Sequence, residues 1–148
     1  TIAKASCSVP LAYRDFVLLD GEAHTDGGVA DSIPVIEAYR RGARQITVVL
    51  SRPWGYRKHA TRYPWLLKQL LREQPALVNA MLKRHEQYNA TLDFITAPPP
   101  DCQIRVLAPP AEFTVGRLTR DRAHLQQGYE QGVQAAQTYL RTMKNKFE

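Results

Sequence analysis

The residues best suited to chemistry in this chain are an aspartate and the two glycines that follow it, Asp26-Gly27-Gly28. A carboxylate acts as a general base when the backbone holds it in a fixed place. Asp-Gly is also a common turn dipeptide, so a purely structural turn is the simpler interpretation. One glycine is enough for a turn, whereas two in a row leave the backbone bare, so that another chain segment or a substrate can approach the carboxylate. The pattern predicts a carboxylate on a tight turn, with both roles open.

Regular elements are predicted directly before and after this turn. The apolar run Phe16–Leu19 ends at Asp20-Gly21 and is followed by a second short segment, which predicts a strand–turn–strand leading into the motif. After the motif, Asp31 or Ser32 is expected to cap a helix, with Pro34 in its first turn.

A buried strand is predicted next. Gly42 is expected to end the helix, and the uncharged run Gln45–Leu50 predicts a strand buried on both faces, as in a parallel sheet. A helix followed by a buried strand is half of a β-α-β unit, so the sequence favours an α/β fold.

The remainder of the chain is predicted to be mainly helical. Apolar residues at helical spacing indicate a helix near residues 63–72 and a longer one opened by Pro75. A short strand is expected at 104–107. A long helix over about residues 120–143 follows, capped by Thr119, with an apolar stripe that includes Leu125, Tyr129 and Leu140.

Composition limits the class of protein. The chain has 148 residues, of which 44% are hydrophobic and 23% charged, values typical of a globular domain rather than a disordered segment. Its apolar runs are too short for a membrane-spanning helix or a signal peptide. Two cysteines are too few for a disulfide framework, and no Cys/His spacing predicts a metal site. We expect a cytoplasmic protein, in peripheral contact with a membrane at most, without metal or cofactor.

A segment rich in basic and aromatic residues is the second candidate site. The formal net charge is +6, and residues 51–100 hold eight of the 20 Lys and Arg but only three of the 14 Asp and Glu. Rings and cations together suit a membrane interface or single-stranded nucleic acid, and a loop with its rings in the core is an equal alternative. The candidate membrane or anion contacts are Arg52, Trp54, Arg57, Lys58, Arg62 and Trp65.

About residues 3–52 resemble the second half of the patatin-like phospholipase and acyl hydrolase domain. The resemblance is carried by Asp26-Gly27-Gly28, by Ile33-Pro34-Val35, by Gly42-Ala43, by the strand Ile46–Leu50, and by the upstream segment Ala5–Pro10. It implies a three-layer α/β/α domain in which a serine and an aspartate form a catalytic dyad. Residues 1–52 would then be the C-terminal part of that catalytic domain, and residues 53–148 a mainly helical extension.

Carried over to this sequence, the resemblance makes Asp26 the general base, with Gly27 and Gly28 completing its motif. The family's nucleophile lies in Gly-x-Ser-x-Gly, a pattern absent from these residues. The Gly-rich oxyanion loop of the family is absent from them as well. The expectation is therefore the C-terminal portion of a serine hydrolase acting on lipid or other ester substrates, inactive by itself and of open oligomeric state. The alternative is a non-catalytic basic α/β module that binds nucleic acid or an acidic partner.

Overall fold

The computed structural model describes residues 2–13, 15–116 and 118–144. The chain forms two compact units, each assembled from two separate stretches of sequence. The first unit combines Thr1–Arg41 with Arg57–Ala97, and the second combines Gly42–Tyr56 with Pro98–Glu148. Helices and small sheets occur together, so the predicted α/β class is confirmed in general terms. The boundary placed at residue 52 concerns a complete hydrolase and stays a prediction.

The first unit begins with helix α1 (Ile2–Ser6) and an antiparallel hairpin of β1 (Val17–Leu19) and β2 (Glu22–His24). The hairpin confirms the predicted strand–turn–strand. Its two turn residues, Asp20 and Gly21, have φ angles of 52° and 84°. Two positive φ angles match the right-handed twist of the flanking strands, and Asp followed by Gly accepts them readily.

Helices complete the first unit: α2 (Val35–Arg40), α3 (Pro64–Leu70) and the 22-residue α4 (Pro75–Thr96). Pro75 opens α4 as predicted, because a proline in the first turn gives up no helical hydrogen bond. The core between α3 and α4 is formed by buried leucine and valine, with Met81 among the half-buried residues around it. Its buried members are Leu67, Leu71 and Val78.

The predicted caps of α2 are wrong. Pro34 occupies the cap position and no side chain bonds to the helix start. Asp31 and Ser32 are used earlier: Asp31 Oδ1 accepts from the Ile33 N–H at 3.1 Å, and the Ser32 hydroxyl donates to the Gly28 carbonyl at 2.7 Å. The C-terminal end is as predicted, with Gly42 at φ 98° directly after the cap.

The second unit contains a parallel pair, β3 (Gln45–Val49) and β4 (Gln103–Leu107), and helix α5 (Arg122–Lys144). The prediction that β3 is buried on both faces is wrong. Val48 and Leu50 are buried on one face, whereas Val49 on the other face is 75% exposed. Side chains alternate along a strand, and an unbroken apolar run does not reveal that only one face is covered.

Helix α5 also departs from prediction. Asp121, not Thr119, caps it, since Asp121 Oδ1 accepts from the His124 N–H at 2.8 Å. The Thr119 hydroxyl accepts from the Gly116 N–H instead, at 2.9 Å. The predicted stripe is exposed: Tyr129 and Leu140 are 68% and 64% accessible. Among the helices of the described ranges, none combines the length and the apolar character that a membrane crossing requires.

Candidate functional site

The Asp26 motif forms a short turn of 3₁₀ helix, Gly27–Val29, and Asp26 is its capping residue. The carboxylate oxygen Oδ1 accepts a hydrogen bond of 2.7 Å from the Gly28 N–H. Aspartate favours this position because its short side chain reaches the N–H two residues ahead. The bond engages Oδ1 and orients the half-buried carboxylate. The motif thus fixes its own acid group by a purely local contact.

A second set of bonds ties the turn to the segment after α1. The Ser8 carbonyl accepts from the Asp26 N–H at 3.0 Å and from the Thr25 hydroxyl at 2.7 Å. Ser8 is itself 3% exposed, and its hydroxyl donates to the Ala5 carbonyl at 2.7 Å. Two donors on one buried carbonyl hold both residues at the start of the turn. The segment that carries the Ala5–Pro10 resemblance therefore lies against the aspartate.

A third contact comes from α4. Arg84 Nε donates to the Gly28 carbonyl at 2.7 Å and lies 3.3 Å from the Ser32 hydroxyl oxygen. Ser32 and Arg84 thus meet on the same carbonyl oxygen. A charged donor makes a stronger hydrogen bond than a neutral one. Sequence reasoning missed Arg84, because nothing in the spacing of a helix residue 56 positions away points to this turn.

The two motif glycines differ in their surroundings. A Cβ at position 28 would lie 2.9 Å from Asp26 Oδ1 and 3.5 Å from Arg84 Nη2. A Cβ at position 27 would meet nothing within 4 Å. Gly28 is therefore needed for the carboxylate to fold back over the backbone, and Gly27 leaves one side of the turn open. The prediction of a bare backbone beside the acid holds at Gly27.

A cavity of about 260 Å³ lies beside the turn in the same unit. Ser8 and Thr25, whose hydrogen bonds anchor Asp26, form part of its wall. The remaining wall combines the polar side chains of Tyr13, Asp15 and Gln74 with apolar residues from the loop before β1 and from α3 and α4. These wall residues include Leu11, Phe16, Leu70, Leu71 and Leu77.

The six basic and aromatic candidates differ in their contacts and exposure. Arg57 pairs with Asp93 at 2.6 Å and donates to the Asn89 carbonyl at 2.9 Å. Lys58 exchanges two backbone hydrogen bonds of 2.9 Å with the Asn89 side chain, and its ammonium lies 4.9 Å from the Tyr88 ring centre. Arg57 through its side chain and Lys58 through its backbone fasten the loop to α4. Their predicted contact with a membrane or an anion stays a prediction.

The other four candidates are exposed but do not share one unit. Arg62 and Trp65 lie in the first unit, with the Arg62 guanidinium 5.4 Å from the Tyr63 ring centre. Arg52 and Trp54 lie in the second. Trp54 is 52% exposed and Trp65 is 63% exposed, so the alternative of tryptophans packed in the core is wrong. In the described part of the chain, His, Cys, Asp and Glu side chains form no group of three that could hold a metal ion.

Residues 74–148 match the family described as "Domain of unknown function (DUF6363)", and the chain belongs to this family. The chain is also similar to a protein of Escherichia coli (strain K12), "Uncharacterized protein YjjU", at 31% identity over 150 residues. That match covers 96% of this chain and 40% of the relative, so the chain spans about two fifths of the relative's length. No solved structure matches the chain.

Proposed function

We propose that this chain is the C-terminal part of a patatin-like serine acyl hydrolase, with Asp26 as the general base of a Ser–Asp dyad. The complete catalytic domain would be the three-layer α/β/α sandwich of that family, with residues 53–148 as its helical extension. The supporting observation is the hold on Asp26: Gly28 orients its carboxylate, and the Ser8 carbonyl fixes its backbone. A general base requires this kind of fixed placement.

The chemistry assigned to Asp26 is proton transfer. A serine hydroxyl attacks the ester carbonyl and passes its proton to the Asp26 carboxylate, which then returns it to the leaving alcohol. A water molecule next attacks the acyl-serine, and Asp26 takes and returns the proton again. The Gly28 bond is made to Oδ1, and Oδ2 is suited to receive the serine proton.

None of the four serines of this chain, Ser6, Ser8, Ser32 and Ser51, lies in Gly-x-Ser-x-Gly, and the two near the Asp26 turn are already bonded. Ser8 is buried and donates to the Ala5 carbonyl, and Ser32 donates to the Gly28 carbonyl. Because the relative YjjU is much longer than this chain, a protein of that length has room for the nucleophile elsewhere. We place the serine and the oxyanion hole in such a further segment.

The cavity next to Thr25 supports an ester with an apolar acyl group. Its volume of about 260 Å³ and its leucine and phenylalanine lining suit a hydrocarbon chain. Its polar lining comes from Ser8, Tyr13, Asp15, Thr25 and Gln74. Of these, Ser8 and Thr25 are bonded to each other at the start of the Asp26 turn.

The test is Asp26→Asn in a protein that also contains the Gly-x-Ser-x-Gly segment. Asparagine keeps a carbonyl oxygen for the Gly28 N–H, so the fold and melting temperature should be unchanged. Hydrolysis of p-nitrophenyl acyl esters should fall by about 100-fold or more, because the base is lost. Labelling of the serine by a fluorophosphonate should fall with it.

Asp31→Asn is the matched control. Asp31 also accepts from the N–H two residues ahead, at 3.1 Å, but lies outside the motif. Its substitution should leave hydrolysis unchanged. Near-normal turnover by the Asp26→Asn protein would contradict the proposal. Asp26 would then have only a structural role, and Asp26→Ala would lower the free energy of unfolding by about 0.5–2 kcal/mol without a loss of turnover.

A further inference from the structure

Helix α3 exposes large apolar residues as well as burying them, and the polar Gln69 lies among the exposed ones. Leu67 and, directly after the helix, Leu71 are buried against Val78 of α4. On the outward side, Trp65, Leu66 and Leu70 are 63%, 39% and 56% exposed. A helix that only covers a core normally carries polar residues on its solvent side. The outward side of α3 therefore calls for a partner.

Two cations lie close in sequence to these exposed apolar residues. Arg62 precedes α3, Lys68 lies within it, and both side chains are exposed. The sequence has no acidic residue between Glu37 and Glu73, so no carboxylate of the same stretch offsets these charges. A partner that accepts both leucine and arginine must itself offer apolar surface next to negative charge.

We propose that this α3 surface, formed by Arg62, Tyr63, Trp65, Leu66, Lys68 and Leu70, binds the surface of an anionic lipid bilayer. Trp65 and Tyr63 lie at headgroup level, where amphipathic rings are favoured. Leu66 and Leu70 enter the upper acyl region, and Arg62 and Lys68 meet lipid phosphates.

Nucleic acid fits this surface less well. Bases bind single-stranded sites by stacking on ring faces, and the Tyr63 ring already carries the Arg62 guanidinium at 5.4 Å. Trp65 offers a ring for stacking, but the exposed leucines Leu66 and Leu70 beside it offer none. Of the four cations in the candidate segment, Arg57 also pairs with Asp93 and is not free for phosphate contacts.

The α3 surface lies next to the cavity described above. Leu70 belongs to the α3 surface and also lines the 260 Å³ cavity beside Thr25. A lipid held at α3 is therefore next to that cavity. Vesicle binding itself requires no catalysis, so the inference does not depend on the proposed hydrolase function and is tested separately from it.

Cosedimentation of the protein with vesicles tests the proposal. We expect binding to phosphatidylcholine vesicles that contain phosphatidylglycerol, and weaker binding to phosphatidylcholine alone. The double variant Trp65→Ala/Leu66→Ala should bind at least tenfold less tightly, and Leu118→Ala, which removes a leucine that is 89% exposed in the second unit, should bind normally. Both variants remove exposed side chains, and circular dichroism should show an unchanged fold.

The charge contribution has its own pair of variants. Lys68→Gln should weaken binding to the anionic vesicles about fivefold, as expected for one cation near such a surface. Lys83→Gln removes an exposed lysine from α4 and should have no effect. In a Trp54→Phe background, the fluorescence of Trp65 should shift to shorter wavelength on binding.

Three results would overturn the proposal. The first is no binding of the wild-type protein to anionic vesicles. The second is equal binding by the wild type and by Trp65→Ala/Leu66→Ala. The third is retardation of single-stranded oligonucleotides at low salt, lost in the same double variant and unaccompanied by vesicle binding, which would assign the surface to nucleic acid.

Discussion

The Asp26 turn and the Arg57–Lys58 loop are both attached to α4, but in opposite ways. At the turn, the helix supplies the charge: Arg84 reaches out to the Gly28 carbonyl. At the loop, the charges belong to the loop, and the helix supplies the acceptors on Asn89 and Asp93. The acid of the turn keeps its place through its own neighbours. At the loop, the Arg57 side chain is paired with the helix and Lys58 is bonded to it through its backbone. A cluster of charges in a sequence is therefore not a measure of the charge available to a ligand.

The largest loss of stability is expected when Arg84, which bonds to the turn, is replaced. Arg84→Met keeps the length of the side chain but removes the bond to Gly28, and we expect a loss of about 2 kcal/mol in the free energy of unfolding. Urea unfolding measures it. Lys83→Met, the exposed neighbour on the same helix, should change stability by less than about 0.5 kcal/mol. Equal values for the two variants would mean that α4 does not support the turn.

The next largest loss of stability is expected at one of the two motif glycines and not at the other. Gly28→Ala places a methyl group 2.9 Å from Asp26 Oδ1, and displacing that carboxylate should cost about 1–2 kcal/mol. Gly27→Ala meets nothing within 4 Å and should lie within about 0.5 kcal/mol of the wild type. Thermal unfolding of both proteins decides the matter, and a Gly27→Ala protein that is the less stable of the two would contradict the described geometry.

A smaller effect is expected at the loop. Asn89→Ala removes two hydrogen bonds to the Lys58 backbone, and we expect a loss of about 1 kcal/mol together with faster hydrogen exchange of the Lys58 amide. Exchange at the Gly28 amide should stay as in the wild type, because the turn has separate supports. Faster exchange at both amides would show that the two regions open together.

The smallest effect should come from the ion pair of Arg57 and Asp93. Its side chains are 47% and 66% exposed, so water and salt screen it. Asp93→Asn should cost less than about 0.5 kcal/mol, and the difference from wild type should vanish at high salt. A loss comparable to that of Asn89→Ala would place the ion pair, rather than the amide, in control of the loop.

Local features of the fold could be predicted from the sequence. The hairpin turn at Asp20-Gly21, the proline start of α4 and the glycine end of α2 each depend on residues within one turn of the feature. The Asp26 turn belongs to the same group, because its defining bond spans two residues.

Features that depend on distant residues could not be predicted. Arg84 acts over 56 positions, and Asn89 acts over 31. The exposure of Val49 depends on what covers each face of β3, which an apolar run does not state. The caps of α2 failed for a different, local reason: the Asp31 carboxylate accepts from the Ile33 N–H and the Ser32 hydroxyl donates to the Gly28 carbonyl, so both side chains are engaged before the helix begins.

The interleaved order of the two units has a consequence for dissecting the protein. Residues 42–56 leave the first unit and residues 57–97 return to it, so no single cut releases either unit whole. A chain that starts at Gln74, where the family match begins, would keep α4 and lose α3 and the Asp26 turn, both of which contact α4. The family match and the compact units thus have different boundaries. A truncation at the start of the family match will expose to water the side of α4 that packs against α3 and the turn.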